Sequence, residues 1–280
     1  MSDSQQVFDN AGFNGVYDDI CYGANFNSSP INCSIVAYKD IYKHEQVGPL
    51  LSTQWHQNAP FNNLCGGKPA ACGPIAVAQV MKYYQYPHSF VLNGYAFNWN
   101  TIPEDSQSNS DQDALVKLVA SFTNTHYDSF GSWTTPDDMK DGIRSLGYNV
   151  TKASHNFEKV ETELFRNRPV IMGGNDDNVP LPEPLDYIGS SHYWVCDGAH
   201  RITTNQMYYF TIWQPNGNGT FTTGWHSMDS PGVLGGLVYL YFHMNWGWNG
   251  NHDGWFAFES ANSGNGDFEH SRLDFYITKP

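Results

Sequence analysis

The chain has 280 residues and a net charge of −14, which results from 28 acidic and 14 basic side chains. Hydrophobic residues make up 40% of it and charged residues 15%, so the chain can bury a substantial core and does not have the composition of a disordered tail. The acidic balance argues against nucleic acid and anionic lipid as partners, and no apolar run approaches the ~20 residues that span a bilayer.

The N-terminal part, residues 1–46, shows no clear periodicity and is rich in Asn, Asp, Ser and Gly. We therefore expect an N-terminal extension or pro-segment remnant over residues 1–46 and one domain over residues 47–280. The first residues lack the basic start and the apolar stretch of a signal peptide. The chain is thus expected to be cytosolic as written, or to have lost targeting and pro-segments.

Four helices are predicted in the first half of the domain. The first begins near Cys72, carries Pro74 in its first turn and an apolar face at helical spacing, and ends before Pro87. The second begins at Ser110, where Asp113 resembles the acid of a capping box.

The third helix has the strongest start signal, because Thr135 is a good N-cap residue and Pro136 fits a first helical turn. It is expected to close at Gly147, where a left-handed residue is typical. A fourth helix is predicted around residues 157–167, with its apolar residues on one face.

Strands are predicted after Arg168, where β-branched and aromatic residues become frequent and glycine-rich turns separate the runs. The predicted strands cover residues 169–172, 192–197, 206–213, 237–246, 254–259 and 273–278. Helices and strands do not alternate as in βαβ units. We therefore predict an α+β protein with an antiparallel sheet.

Five cysteines are present, Cys21, Cys33, Cys65, Cys72 and Cys196, and the odd number leaves at least one thiol unpaired. No CxxC pair occurs, which argues against a zinc ribbon and against thioredoxin chemistry. Cys21 and Cys33 are close enough in sequence to form a disulfide, but their spacing does not establish it.

No cofactor and no metal ion is predicted. The turn Asn175-Asp176-Asp177-Asn178 could hold a calcium ion, but it lacks the spacing of a bidentate Glu, and a solvated turn is the better interpretation.

Cys72 is the strongest candidate for chemistry. A thiol at a helix N-terminus meets unpaired N–H groups and the positive end of the helix dipole, and both favour the nucleophilic thiolate. Considered alone, a single cysteine is more often a small buried hydrophobic residue. The hypothesis of a nucleophile therefore depends on partners elsewhere in the chain.

His192 is the best candidate for a general base, because it opens a predicted strand directly after two small residues. The alternation of that strand places His192, Trp194 and Cys196 on one face. A structural histidine is the commoner case for any single one, and His56, His243 and His252 are weaker candidates on the same logic.

Three further residues complete a predicted acyl-transfer site. Asn245 supplies a neutral amide that could fix the tautomer of the base, and Trp246 beside it could shield that hydrogen bond from water. The oxyanion would be stabilised by the Cys72 backbone N–H and by the side-chain amide of Gln57. Considered alone, Asn245 also fits an aromatic-rich strand that ends in a glycine turn, and Gln57 fits a surface glutamine.

These residues occur in the order Gln, Cys, His, Asn, and with the sequence around them they resemble the streptopain family of papain-like cysteine peptidases, in particular its bacterial, Bacteroides-type members. The resemblance spans about residues 47–280. The matching segments are Pro49–Asn62, Cys72–Pro87, Arg168–Val170, His192–Ala199 and Asn245–Gly254. The Cys72 helix and the Asn245-Trp-Gly-Trp segment are the most specific of them.

The resemblance implies a papain-like fold, with a helical lobe, an antiparallel β-lobe and a substrate cleft between them. It implies Cys72 as nucleophile, His192 as general base, Asn245 as its orienting residue, Trp246 as its cover and Gln57 in the oxyanion hole. Family members are typically exported bacterial enzymes that are made as zymogens. The expected location is therefore secreted, periplasmic or at the cell surface, and the expected partners are protein or peptide substrates, with a pro-segment or a protein inhibitor.

Two departures from the family pattern stand out. Ala71-Cys72-Gly73-Pro74 replaces the usual Gly-Cys-Val-Ala, and the segment between Asp197 and Asn245 is much longer than in the simplest family members. That insertion could form a rim of the cleft or a surface for a partner.

Two alternatives to a general endopeptidase remain. The same residues could serve self-processing near residues 43–47, or the cleavage of one dedicated precursor. A different class is a carbohydrate-binding β-rich module, in which the many Trp and Tyr residues stack on sugars and Cys72 is structural.

Overall fold

A computed structural model describes residues 32–88, 91–92, 95–96, 98–107, 109–129, 131–176, 191–213, 221–227 and 237–280. For residues 32–40, 91–92, 95–96, 205–213 and 221–227 only the backbone is described. The described residues fall into two compact units. One contains the residues up to Glu45 together with Arg201–Tyr239, and the other contains Gln46–His200 and Leu240–Pro280. All predicted site residues lie in the second unit.

The helices of the described ranges are α1 (Cys72–Tyr84), α2 (Ser110–Phe122), α3 (Pro136–Ser145) and α4 (Phe157–Phe165). All four correspond to predicted helices. None of the helices in these ranges is long and apolar enough to cross a membrane.

The positions of the helix ends agree with the residues that cap them. The Thr135 side chain accepts a hydrogen bond from the Asp138 N–H, as the sequence predicted, and Gly147 beyond the helix end has φ 92°. The cap of α2 differs from the prediction. The side chain of Asn109, rather than Ser110, accepts hydrogen bonds at the start of that helix, since Asn109 has the extended backbone of an N-cap residue and Ser110 is already helical.

The strands are β1 (Asn32–Val47), β2 (Val91–Leu92), β3 (Tyr95–Ala96), β4 (His126–Asp128), β5 (Gly131–Trp133), β6 (Asn149–Ser154), β7 (Val170–Asn175), β8 (Ser191–Trp213), β9 (Phe221–Ser227), β10 (Val238–Asn245), β11 (Gly254–Ala257) and β12 (His270–Thr278). The main sheet has the order β11-β10-β8-β7-β12-β6, and β1 and β9 also pair with β8. The ladders β10/β11, β12/β6, β12/β7, β7/β8 and β8/β9 are all antiparallel. This architecture confirms the predicted α+β class.

Two strands differ from the sequence prediction. β8 is a single strand of 23 residues that joins the two strands predicted at 192–197 and 206–213, because residues 198–205 between them continue the extended backbone. β1 lies in the N-terminal part, where the sequence shows no hydrophobic periodicity. Its conformation comes from pairing with β8, which composition alone does not reveal.

The second unit buries side chains on both faces of its sheet. Along β8, Tyr193 and Val195 belong to the core that includes α1, α2 and α3, whereas Trp194 and Cys196 belong to the core that includes α4 and β10. The alternation predicted for this strand is therefore present. Consecutive side chains from Tyr193 to Cys196 therefore point toward opposite cores. His192 lies directly before these four residues.

Candidate active site

Cys72 is the first residue of α1 and is half-buried. The residue before it, Ala71, has φ 72° and ψ 147°, which ends the preceding segment and starts the helix at the thiol. Gly73 has no room for a side chain, since a Cβ there would come within 2.5 Å of the Met139 sulfur and 2.7 Å of Thr134 Cγ2. The start of α1 is thus packed tightly against the start of α3, which fixes the position of the thiol.

The Cys72 thiol faces β8. Burial raises the pKa of Cys72, while backbone N–H groups of Tyr193, Gly73 and Cys72 itself hydrogen-bond to the sulfur and lower the pKa. The net direction is upward, so burial favours the protonated thiol. Because Tyr193 directly follows His192, its contact with the sulfur brings the start of β8 to the nucleophile.

His192 is the second residue of β8 and is 5% exposed. Its Nε2 atom lies 2.8 Å from the carbonyl oxygen of Trp246. A carbonyl oxygen only accepts hydrogen bonds, so Nε2 carries the proton, and in the neutral ring Nδ1 is the basic nitrogen.

Four aromatic rings surround the His192 imidazole. Ring centroids lie 6.2 Å away for Trp194 and for Trp246, 4.8 Å away for Trp248 and 5.1 Å away for Phe268. This burial lowers the pKa of His192 to about 4, although its hydrogen bond to Trp246 acts in the opposite direction. Burial therefore favours the neutral imidazole at physiological pH, the form in which Nδ1 has a free lone pair.

The Asn245 side chain has other hydrogen-bond partners than His192. Its Nδ2 donates to the carbonyl oxygen of Thr53 at 2.7 Å, and its Oδ1 accepts hydrogen bonds from the Gly247 N–H at 3.1 Å and from Gln79 Nε2 at 3.2 Å. The hydrogen bond to the imidazole, which the sequence assigned to Asn245, is instead made by the backbone carbonyl of the next residue, Trp246.

Trp246 is fully buried, and its ring is stacked on the His192 ring with an interplanar angle of 23°. The Trp246 N–H donates to Asp253 Oδ1 at 2.8 Å. The residue thus contacts His192 with both its ring and its carbonyl oxygen. Asp253 has a pKa raised to about 6 by burial, an effect that the Trp246 N–H and the nearby His243 partly offset.

Gln57 is half-buried and lies in the segment that precedes α1. Its carbonyl oxygen accepts a hydrogen bond of 2.7 Å from the N–H of Ala70, two residues before Cys72. On its other side the segment meets the Trp248 loop, where His56 forms an isolated bridge with Trp248 and the Asn249 N–H donates to the Trp55 carbonyl at 3.2 Å. The backbone of Gln57 is therefore held between the start of α1 and the loop that follows Trp246.

The weaker histidine candidates make other contacts. His243 Nδ1 lies 2.6 Å from Asp197 Oδ1, whose other carboxylate oxygen accepts the Leu51 N–H at 2.9 Å. Asp197 thereby holds the segment before α1 on β8. His56 has Phe61 as a ring neighbour at 5.0 Å, and His252 has Trp248 at 6.0 Å.

The sequence assigned no role to Gln79 or Asp253, although Gln79 Nε2 donates to Asn245 Oδ1 and Asp253 Oδ1 accepts the Trp246 N–H. Gln79 is fully buried on α1, seven residues after Cys72. The available signal was a polar residue within the small and apolar run from Gly73 to Met81.

The remaining cysteine and metal predictions concern other parts of the chain. Cys65 and Cys196 are free and buried. The possible Cys21–Cys33 disulfide and most of the turn at 175–178 lie outside the described side chains. Within the described residues, no group of three or more His, Cys, Asp or Glu side chains is arranged to hold a metal ion.

The geometry combines a thiol at a helix start with a neutral imidazole whose basic nitrogen is free of the Trp246 hydrogen bond. Residues 55–256 match the profile of the Peptidase C10 family. The chain belongs to this family. The predicted streptopain relationship is thereby confirmed, as is the predicted enzyme class of cysteine peptidases at the level of the family.

Two known proteins are similar to this chain. The chain is 23% identical over 267 residues to the thiol protease/hemagglutinin PrtT of Porphyromonas gingivalis, an alignment that covers 78% of this chain and 25% of that protein. The chain thus spans about a quarter of that relative's length. The interpain A cysteine protease of Prevotella intermedia has a similar fold, with a TM-score of 0.56, 20% identity and coverage of 84% of this chain and 96% of the other.

Proposed function

We propose that this protein is a cysteine endopeptidase that uses Cys72 as nucleophile and His192 as general base. Membership of the Peptidase C10 family supports the reaction class. The contact between the Tyr193 N–H and the Cys72 sulfur carries the residue assignment, because it joins the thiol to the residue that follows the buried imidazole.

The first step is the formation of the thiolate. His192 Nδ1 takes the proton from Cys72 Sγ, and the resulting thiolate–imidazolium pair attacks the carbonyl carbon of the scissile peptide bond. The Trp246 carbonyl oxygen, which already accepts the Nε2 proton, stabilises the imidazolium that forms. Burial favours the neutral form of both groups, so this proton transfer comes before the attack on the peptide carbonyl.

The second step resolves the tetrahedral intermediate. The Cys72 backbone N–H and the Gln57 side-chain amide donate to the oxyanion, and His192 gives its proton to the leaving amine as the C–N bond breaks. Water then attacks the thioester, with His192 again accepting a proton, and the acid product and the free thiol are released. Gln57 acts here from the segment held beside the start of α1.

The organisation around the peptidase domain is also part of the proposal. Residues 47–280 form that domain, and residues 1–46 are an extension or the remnant of a pro-segment. By its family, the enzyme is exported as a zymogen to the periplasm, the cell surface or the medium. Its partners there are protein or peptide substrates, with a pro-segment or a protein inhibitor.

The test is the digestion of unfolded casein by the reduced protein, followed on one gel over time. Wild-type protein and a Cys65→Ala variant, which removes a different buried thiol, should degrade casein, whereas Cys72→Ala and His192→Ala should not. Losing the nucleophile or the base should cost several orders of magnitude in rate. Full activity in Cys72→Ala, or a loss of activity in Cys65→Ala of the same size, would contradict the proposal.

A further inference from the structure

We propose that Gln79 is a positioning residue that aims the Trp246 carbonyl at His192, an inference that rests on the proposed role of His192 as general base. Gln79 is fully buried on α1, the helix that begins with Cys72. A side chain on the helix of the nucleophile would thus set the orientation of the base.

A buried network of side-chain and backbone groups connects Gln79 to the loop. The Thr53 hydroxyl donates to Gln79 Oε1 at 2.8 Å, and Gln79 Nε2 donates to Asn245 Oδ1 at 3.2 Å. Asn245 Nδ2 in turn donates to the Thr53 carbonyl oxygen at 2.7 Å. Thr53, Gln79 and Asn245 are each at most 3% exposed, so their polar groups depend on one another rather than on solvent.

Backbone groups determine the orientation of the side-chain amides of Asn245 and Gln79. The Thr53 carbonyl oxygen can only accept, so it must face the Asn245 amino group, and the Gly247 N–H can only donate, so it must face Asn245 Oδ1. Asn245 Oδ1 therefore requires a donor from Gln79. Among side chains of similar size, an amide meets this requirement, whereas a carboxylate or a thioether does not.

The network acts on the peptide bond between Trp246 and Gly247. Its N–H donates to Asn245 Oδ1, and its C=O accepts the Nε2 proton of His192. Fixing the N–H end of a planar peptide fixes the direction of its carbonyl. Gly247, with φ 71°, lies against Gln79 and Ile75 of the same helix, which completes the support from α1.

A structural role alone would stabilise the fold without affecting the base, so the test needs a kinetic readout. The variants are Gln79→Met, which keeps the size but removes both hydrogen bonds, and Gln79→Glu, which offers Asn245 an acceptor in place of a donor. The matched control is Gln112→Met on α2, since Gln112 is also fully buried and its amide donates to the Asp105 carbonyl, away from Trp246.

Two measurements are made on each variant: kcat and KM on fluorescein-labelled casein, and the pH profile of Cys72 alkylation by iodoacetamide, followed by peptide mass spectrometry. For Gln79→Met we expect kcat to fall about 10- to 100-fold with KM within about twofold of wild type, since a misaimed base affects the chemical step. The alkylation profile should move to higher pH. Gln112→Met should keep the wild-type kcat and profile.

Gln79→Glu provides a second test if the Met variant does not fold. A protonated carboxyl can donate to Asn245 Oδ1 and a carboxylate cannot, so the rate relative to wild type should rise as the pH falls from 8 to 5. A wild-type kcat and alkylation profile in a folded Gln79→Met variant would overturn the proposal, as would an equal loss in Gln112→Met or a flat ratio in Gln79→Glu. Wild-type protein that neither cleaves casein nor alkylates at Cys72 would instead overturn the proposed function, and this proposal with it.

Discussion

Gly174 lies on β7, between His192 of the neighbouring strand and the backbone of Phe268. It pairs with His192 across the β7/β8 ladder, and a Cβ built on it would lie 2.1 Å from the backbone carbonyl oxygen of Phe268. Ordinary contact begins at 3.4 Å, so the backbone at Phe268 must retreat by about 1.3 Å in a Gly174→Ala variant. The Phe268 ring packs on the His192 imidazole, so this movement also opens the site.

The expected loss of unfolding free energy depends on how easily the Phe268 carbonyl oxygen can move. Overpacking a core costs about 1–3 kcal/mol, and a displaced backbone carbonyl belongs at the upper end of that range. A gain of about 0.4–1 kcal/mol from the less flexible unfolded chain offsets part of it. We expect Gly174→Ala to lose about 2–3 kcal/mol of unfolding free energy, or about 4–12 °C in Tm.

Differential scanning calorimetry and casein hydrolysis test this expectation together. Gly254→Ala in β11 is the matched control, since a Cβ there meets no atom within 4 Å, and its Tm should equal or slightly exceed that of wild type. In Gly174→Ala, kcat should fall about tenfold or more as the base loses its packing. A Tm within 2 °C of wild type, about what a change of 1 kcal/mol produces, would refute the steric argument.

Three further variants test other contacts of the site. Burial raises the pKa of Asp253 to about 6 from the usual 3.8, so its favourable contribution is complete below pH 3.8 and is lost as the pH rises through 6. At pH 7 the Asp253→Asn variant should therefore have a higher unfolding free energy than wild type, by about 1–2 kcal/mol after allowance for the partial exposure of Asp253. The Tm difference between the variant and wild type should vanish near pH 4. Gln57→Ala should lower kcat on casein about 10²- to 10³-fold if its amide donates to the oxyanion. Asn245→Ala should lower kcat by at least as much as Gln79→Met and should also lower Tm, because it leaves the Gly247 N–H and the Thr53 carbonyl oxygen unpaired in the core.

A specific result would contradict each of these three predictions. A Tm difference for Asp253→Asn that is the same at pH 4 and pH 7 would show that its charge is not penalised by burial. A Gln57→Ala variant with wild-type kcat would remove Gln57 from the oxyanion hole. An Asn245→Ala variant with normal kcat would mean that the Trp246 carbonyl keeps its direction without the network.

The elements that the sequence predicted are those with strong local signals. Helix α3 was predicted from Thr135 and Pro136, and its cap is present. The start of α1 at Cys72 and the alternation along β8 also follow from local spacing. In each case neighbouring residues determine the structure, so no knowledge of distant partners is needed.

What the sequence could not reveal depends on distant pairing or on backbone atoms. β1 is a strand because it pairs with β8, more than a hundred residues away. The group that holds His192 is a carbonyl oxygen, which every residue possesses, so the motif pointed to the neighbouring side chain of Asn245 instead. The role of Gln79 depends on its contact with Asn245, 166 residues later in the chain.

The central claim is that Cys72 becomes acylated with the help of His192. The most direct measurement is rapid acid quenching of the enzyme with a peptidyl p-nitrophenyl ester, followed by peptide mapping in a mass spectrometer. We predict an acyl group on Cys72 that forms with the first burst of nitrophenol, decays with turnover, and accumulates far more slowly in His192→Ala. An acyl group on another residue, or multiple turnovers with no adduct on Cys72 at any time, would contradict it.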